Sequence, residues 1–199
     1  PFTYDASTMV ASARQVNFWA KQGAIEAVLA RELPKEELAD MTDELVVPGE
    51  ILVYGATVIH HSKRPLVQNY YNFIKTEEKG KDRERNLFVS EPKKVDTHYS
   101  IFEDNHGTHI FANDDLDMMT ELSDLVAMGY DHWKLDGIFT RGEDFVAISK
   151  LFVEAKKLIE AGEFTELKAF QLDEEIRKIH PAGRTLSHGF YDLDKDAIK

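Results

Sequence analysis

The sequence contains no cysteine among its 199 residues. This absence excludes disulfides, thiolate nucleophiles, cysteine-ligated zinc and thiolate-held iron–sulfur clusters on this chain. We therefore expect no cofactor on this chain.

Long apolar runs and an excess of basic residues are also absent. No stretch approaches the roughly 20 apolar residues of a membrane span, and the first residues lack a basic segment followed by an apolar one. The 24 Lys and Arg stand against 36 Asp and Glu, which gives a net charge of -12. Such a charge disfavours binding of nucleic acid or anionic lipid over the whole surface. The sequence predicts a cytoplasmic protein with no membrane partner. A local basic patch on its surface is still compatible with the net charge.

The apolar residues recur along the chain with two different spacings, that of a strand and that of a helix. With 43% hydrophobic and 30% charged residues, the composition is that of a globular protein. Short β-prone segments alternate with segments of helical spacing, which favours an α/β fold with parallel pairing. The predicted strands are 1–4, 25–30, 50–55 and 132–136, and the predicted helices are 10–20, a short one after Pro34, 113–129 capped by Asn113, 145–159 and 172–179.

Four such units are half of a (β/α)8 barrel. We therefore predict the C-terminal half of a TIM-like barrel over 1–162, with a long, polar and irregular insertion at 58–112 after the third strand. Residues 163–199 are predicted as a C-terminal tail with a short helix. An open half-barrel leaves parallel edges unpaired, which is costly. Either a missing N-terminal half or a homo-oligomer is expected to cover them.

Candidate catalytic residues follow the predicted strands, because active sites of such folds lie at the carboxyl ends of the strands. They are Arg31, Glu32, Tyr54, Lys134 and Asp136. We expect them to converge with Ser62, Arg64 and Asn69 on a pocket for an anionic or carbonyl-bearing ligand, since arginine suits carboxylate and phosphate. A purely structural role, with Arg31 and Glu32 as an ion pair and Lys134 in a helix layer, is equally compatible with the sequence.

The insertion contains a local basic patch. Residues 60–94 hold nine Lys or Arg and five acidic residues, a charge of +4 against -16 for the rest of the chain. With the nearby aromatic residues Tyr70, Tyr71, Phe73 and Phe88, this segment could contact phosphates and stack on bases. We predict RNA-binding residues at Lys79, Lys81, Arg83 and Arg85. A solvated loop of mixed charge is the alternative.

Histidines are also concentrated in the insertion, at 60, 61, 98, 106 and 109. Adjacent His60 and His61 would face opposite sides of a strand, which disfavours joint chelation. The segment from Glu103 to His109 is a better imidazole and carboxylate cluster, and His106 and Thr108 are candidate substrate-binding residues. Because no third ligand has the His-Glu-x-x-His spacing, zinc is only a weak alternative. Signatures of serine hydrolases and phosphate-binding loops are missing.

Several ordered motifs together resemble the collagenase-like peptidases of unknown catalytic type, peptidase family U32. The likeness is nearest to the shorter, cluster-free tandem member found in Gram-positive bacteria. It covers residues 1 to about 160, with a weaker similarity at Arg184 and at 189–190. The motifs are AVLAREL at 27–33, EILVYGA at 50–56, SKR at 62–64 with Asn69-Tyr70, EDNHGTHI at 103–110 and WKLDG at 133–137.

The resemblance implies a barrel-like domain whose first half would precede Pro1. It also implies one of two activities. Some relatives act in hydroxylation of the tRNA wobble uridine with an iron–sulfur cluster, but Val58 and Pro65 stand here where the family signature has cysteines. One expectation is thus a cluster-free subunit that works on tRNA beside a cysteine-bearing paralogue. The other is a peptide hydrolase that uses a metal-activated water.

Overall fold

The computed structural model describes residues 1–5, 10–81 and 86–194, without the side chain of Val95. The chain forms two compact units. Unit 1 comprises residues 1–55 and 116–199, and unit 2 comprises residues 56–115. Within the described ranges, no helix combines the length and apolarity that crossing a bilayer requires.

The helices and strands alternate along unit 1, whereas strands dominate unit 2. The helices are α1 (Ala13–Lys21), α2 (Lys35–Thr42), α3 (Leu66–Phe73), α4 (Leu122–Ala127), α5 (Gly142–Glu160) and α6 (Glu166–Ile179), with a 3-10 turn at Met119–Glu121. The strands are β1 (Phe2–Tyr4), β2 (Ala24–Val28), β3 (Gly49–Ser62), β4 (Phe88–Glu91), β5 (Lys94–Asp104), β6 (Gly107–Asp117), β7 (His132–Leu135) and β8 (Thr185–Ser187).

The described strands form one open, mixed sheet. Its order is β1-β2-β3-β6-β5-β4, with β7 beside β3 and β8 beside β6. The pairs β1–β2, β2–β3 and β3–β7 are parallel, and the pairs β4–β5 and β5–β6 are antiparallel. The predicted α/β class is confirmed at this level.

The core of unit 1 packs α5 and α6 against the middle of β3. Val53 on β3, Ile148 on α5 and Ile176 on α6 are each 0% exposed. Full burial of a side chain of this size contributes about 1.5–3 kcal/mol to folding. The helix predicted over 145–159 is confirmed, because its apolar stripe is the buried face of α5.

The helix predicted over 113–129 is wrong in its first half, where residues up to Asp117 belong to β6. Asn113 does not cap a helix, because its amide oxygen accepts a hydrogen bond from the backbone N–H of His98 on β5, at 2.8 Å. The helix α4 begins only at Leu122. The polar residues around Asn113, which resemble the start of a helix, therefore belong to a paired strand.

The segment predicted as irregular, 58–112, is regular over most of its length. It contains the end of β3, the helix α3 and an antiparallel meander. In the tail, the helix predicted over 172–179 begins earlier, at Glu166. The Thr165 hydroxyl accepts a hydrogen bond from the backbone N–H of Lys168 at 3.3 Å and so caps α6.

Candidate functional site

The residues predicted as catalytic all lie in unit 1, where Tyr54, Lys134 and Asp136 have structural partners. Tyr54 is 0% exposed. Its hydroxyl lies 2.9 Å from Thr140 Oγ1 and 2.8 Å from His180 Nδ1. Lys134 Nζ lies 3.8 Å from a carboxylate oxygen of Glu50, and Asp136 accepts a hydrogen bond from the N–H of Ile138 at 2.9 Å. A catalytic role for these residues stays a prediction.

Arg31 and Glu32 follow β2 and are half-buried. Arg31 lines a small cavity of about 30 Å³ together with His188 and Tyr191 and apolar side chains. The Oε2 atom of Glu32 is buried without a hydrogen-bond partner among the described residues. The convergence of these residues with Ser62, Arg64 and Asn69 remains a prediction.

Unit 1 also contains an arrangement that the sequence analysis missed, a row of hydroxyl, imidazole and carboxylate. Thr120 Oγ1 lies 3.3 Å from His188 Nε2, and His188 Nδ1 lies 2.8 Å from Asp192 Oδ2. However, the Thr120 hydroxyl donates a hydrogen bond to Glu121 at 3.1 Å. A hydroxyl that donates to a carboxylate does not at the same time donate to an imidazole base. The i, i+4 spacing of His188 and Asp192 was the one available signal.

A buried acidic group also lies in unit 1. Asp117 and Asp173 are 2% and 6% exposed. Arg177 binds Asp173 through two hydrogen bonds of 2.7 and 3.1 Å. Burial, together with the Asp173 charge, raises the pKa of Asp117 to about 7, although the Met119 N–H and Arg177 act in the opposite direction.

The residues predicted to bind substrate lie in unit 2, and two of them shape the start of α3. The Thr108 hydroxyl accepts a hydrogen bond from Leu66 N at 2.9 Å and donates one to Arg64 O at 2.8 Å. Ser62 Oγ accepts a hydrogen bond from Arg64 N at 3.2 Å, in the turn before the helix. Asn69 is exposed on α3. A substrate contact by these groups stays a prediction.

Glu103 completes the cap of α3. It is 1% exposed, and its Oε2 atom accepts hydrogen bonds from the backbone N–H groups of Val67 at 3.1 Å and Gln68 at 3.4 Å. These donors belong to the first turn of the helix, where no intrahelical acceptor exists and a negative charge is favoured. The acidic start of the motif at 103–110 therefore holds a neighbouring helix.

Asn105 and His106 form the turn between β5 and β6, and Gly107 begins β6. Asp104 Oδ1 accepts a hydrogen bond from the backbone N–H of His106 at 2.7 Å and lies 3.1 Å from His109 Nε2. Burial would raise the pKa of Asp104, but these two partners outweigh it and the pKa is lowered. Gly107 has φ of +124°, and a Cβ there would lie 2.0 Å from Ser62 O. Only glycine fits at this position.

The histidines pack against one another and do not form a chelating group. The rings of His61 and His109 are stacked with centroids 4.7 Å apart, and His61 Nε2 lies 3.2 Å from the backbone oxygen of His106. Across the described parts of the chain, no group of three or more His, Asp or Glu side chains could hold a metal ion.

Two of the predicted RNA-binding residues, Lys79 and Lys81, lie in the loop after α3. Lys79 and Lys81 are exposed, and the Lys81 ammonium donates a hydrogen bond to Asn105 Oδ1 at 2.7 Å. Arg83 and Arg85 lie outside the described residues. RNA binding at these four positions stays a prediction.

Comparison with known proteins identifies relatives that are named tRNA hydroxylation proteins. The chain is 34% identical to tRNA hydroxylation protein P2 of Bacillus subtilis (strain 168), over 88% of the chain and 57% of that relative. It is 25% and 24% identical to tRNA hydroxylation protein P of Haemophilus influenzae and of Escherichia coli (strain K12), over 61% of the chain and 36% of each relative. The chain thus spans between about a third and just over half of the length of these curated relatives.

No solved structure matches the chain significantly. The model of Peptidase family U32 matches residues 1–199. Since this match extends over the whole chain, and the resemblance of the ordered motifs agrees with it, the protein belongs to peptidase family U32.

Proposed function

We propose that this protein acts in tRNA hydroxylation, at the wobble uridine, as a cluster-free subunit beside a cysteine-bearing paralogue. The observation that carries the proposal is the 34% identity to tRNA hydroxylation protein P2 over 88% of the chain. The sequence has no cysteine. Because iron–sulfur clusters are held by thiolates, any cluster in the reaction would have to be supplied by a partner.

The fold supports a matching architectural proposal. The parallel strands β1, β2, β3 and β7, connected through helices, fit one half of a TIM-like barrel. A cytoplasmic location is part of the same proposal. In such a half-barrel Arg31, Glu32, Lys134 and Asp136 would lie toward the carboxyl ends of the strands. They would bind or orient an anionic or carbonyl-bearing group of the substrate.

Peptide hydrolysis is the second candidate, and the row of Thr120, His188 and Asp192 is the observation that favours it. A hydroxyl activated by an oriented imidazole is the general plan of serine and threonine hydrolases. The hydrogen bond from Thr120 to Glu121 opposes this use, since it turns the hydroxyl proton away from His188.

Deletion of the gene separates the two candidates. We expect mass spectrometry of tRNA nucleosides from the deletion strain to show loss of hydroxylated uridine, because the subunit would no longer present the tRNA. Wild-type gene and a His188→Gln variant should both restore it. Unchanged hydroxylation in the deletion strain would refute the proposal, and gelatin hydrolysis by purified protein that His188→Gln abolishes would establish the peptidase.

A further inference from the structure

Helix α3 has an apolar face that turns outward from unit 2. Leu66, Tyr70 and Phe73 are 37%, 59% and 82% exposed. Their i, i+4, i+7 spacing places them on one side of the helix. Val67 and Tyr71, on another side of the helix, are 7% and 5% exposed and anchor the helix. The outward aromatic side chains are therefore not needed to hold α3 in place.

Cations flank this outward face at both ends. Lys63 and Arg64 precede the helix and Lys75 follows it, and residues 62–76 contain no acidic residue although the chain carries a net charge of -12. The three side chains belong to exposed residues. Within the ranges that the structure describes, none of them forms an ion pair. Their charges remain available to an anionic partner.

The start of the helix is fixed by side chains from two strands. The backbone N–H of Leu66 donates to Thr108 Oγ1 on β6 at 2.9 Å, and the backbone N–H of Val67 donates to Glu103 Oε2 on β5 at 3.1 Å. Gln68 also accepts a hydrogen bond from the backbone N–H of Gly80 at 3.0 Å, which ties the following loop to α3. A surface that is held in position loses little conformational entropy when it binds a ligand.

We propose that the outward face of α3, formed by Leu66, Tyr70 and Phe73 and flanked by Lys63, Arg64 and Lys75, binds single-stranded RNA. The proposal rests on the proposed function and gives it a location. Exposed rings provide stacking platforms for unpaired bases, and neighbouring cations follow the phosphates. Local positive charge on an acidic chain is complementary to phosphate, and this favours RNA over a protein as the occupant.

The test uses the full-length protein and two labelled probes, an unstructured oligouridine and a fully paired RNA hairpin. Fluorescence anisotropy should show tighter binding of oligouridine. The variant Tyr70→Ser with Phe73→Ser should bind it at least about fivefold more weakly, as expected for the loss of base stacking. Tyr70→Phe keeps a ring and should retain the affinity. Phe170→Ser removes a ring that is 56% exposed on α6 and is the matched control.

Salt titration tests the cations separately. Replacing Lys63, Arg64 and Lys75 with Gln should flatten the slope of log affinity against log salt by about 2, because each phosphate contact on a single strand contributes roughly 0.7. The Tyr70 and Phe73 double variant should keep the wild-type slope. Circular dichroism verifies that each variant is folded.

Several results would overturn the proposal. They are wild-type protein that does not bind oligouridine, a double variant with wild-type affinity, and a double variant that keeps RNA affinity but loses the paralogue. The last would make the face a protein-docking surface. Failure of the proposed function is recognised separately, because deletion of the gene would then leave tRNA hydroxylation intact whatever the α3 variants do to RNA affinity.

Discussion

The carboxyl group of Asp117 lies in the interior of unit 1, beside Asp173 and Arg177. Burial raises its pKa to about 7 from the usual 3.8. A carboxyl whose pKa is higher in the folded state binds its proton more tightly there, so folding is favoured by protonation. The contribution is fully present below about pH 4 and is lost as the pH rises through about 7.

We therefore expect the free energy of unfolding of the wild type to fall between about pH 5 and pH 7, by up to about 1.4 kcal/mol per pH unit from this group. The isosteric variant Asp117→Asn has no charge to bury and should show a flatter profile. Urea denaturation across this range measures the difference. Asp43→Asn, at an exposed position, is the control, and an equal slope in wild type and Asp117→Asn would contradict the assignment.

At the scale of the element, the start of α3 depends on residues far from it in sequence. Proline precedes its first turn, and no side chain from the adjoining segment caps it. Glu103 takes over this role from β5, and Thr108 from β6. The helix is short, and isolated helices of this length are not stable in water. Its stability must therefore come from the meander that supplies the cap and from the burial of Val67 and Tyr71.

We expect Glu103→Gln to destabilise unit 2 by about 1.5–3 kcal/mol, as for hydrogen bonds that involve a charged group. The Gln side chain keeps an acceptor but loses the charge that favours the helix N-terminus. Hydrogen exchange should become faster for amides of 56–115 and stay unchanged elsewhere. Glu77→Gln, an exposed change in the same unit, should leave the exchange unaltered. Uniform acceleration over both units would show that Glu103 stabilises more than α3.

At the scale of the whole molecule, the parallel part of the sheet ends in β1 on one side and β7 on the other. Within the part of the chain that the structure describes, each pairs with one neighbour, β1 with β2 and β7 with β3. Phe2 on β1 is 41% exposed, and Ile25 on the neighbouring β2 is 60% exposed. Unpaired edges with apolar side chains favour pairing with another chain.

We predict that the 199-residue chain associates through these edges. Light scattering should give a mass above that of a 22.8 kDa monomer, and Phe2→Lys should lower the association because lysine on an edge opposes strand pairing. Phe170→Ser, away from the edge, should have no effect. A stable monomer at all concentrations would contradict the prediction.

Elements with a local hydrophobic period were predictable from the sequence. The stripe from Phe145 to Ile159 predicted α5, and the apolar run at 25–30 predicted β2, which the structure ends at Val28. The absence of cysteine excludes metal groups held by thiolates on this chain. Each of these conclusions depends on residues close together in the chain or on composition, so no knowledge of distant neighbours is needed.

Features that depend on distant partners became visible in the folded chain alone. Asn113 looks like a helix cap until β5 lies beside it and His98 donates to its side chain. Only the fold shows that Glu103 and Thr108 accept hydrogen bonds from the start of α3. Asp117 is an ordinary acid until α6 brings Asp173 and Arg177 alongside. A buried polar side chain forms hydrogen bonds with suitable groups nearby. In each of these cases the fold alone brings such a group close.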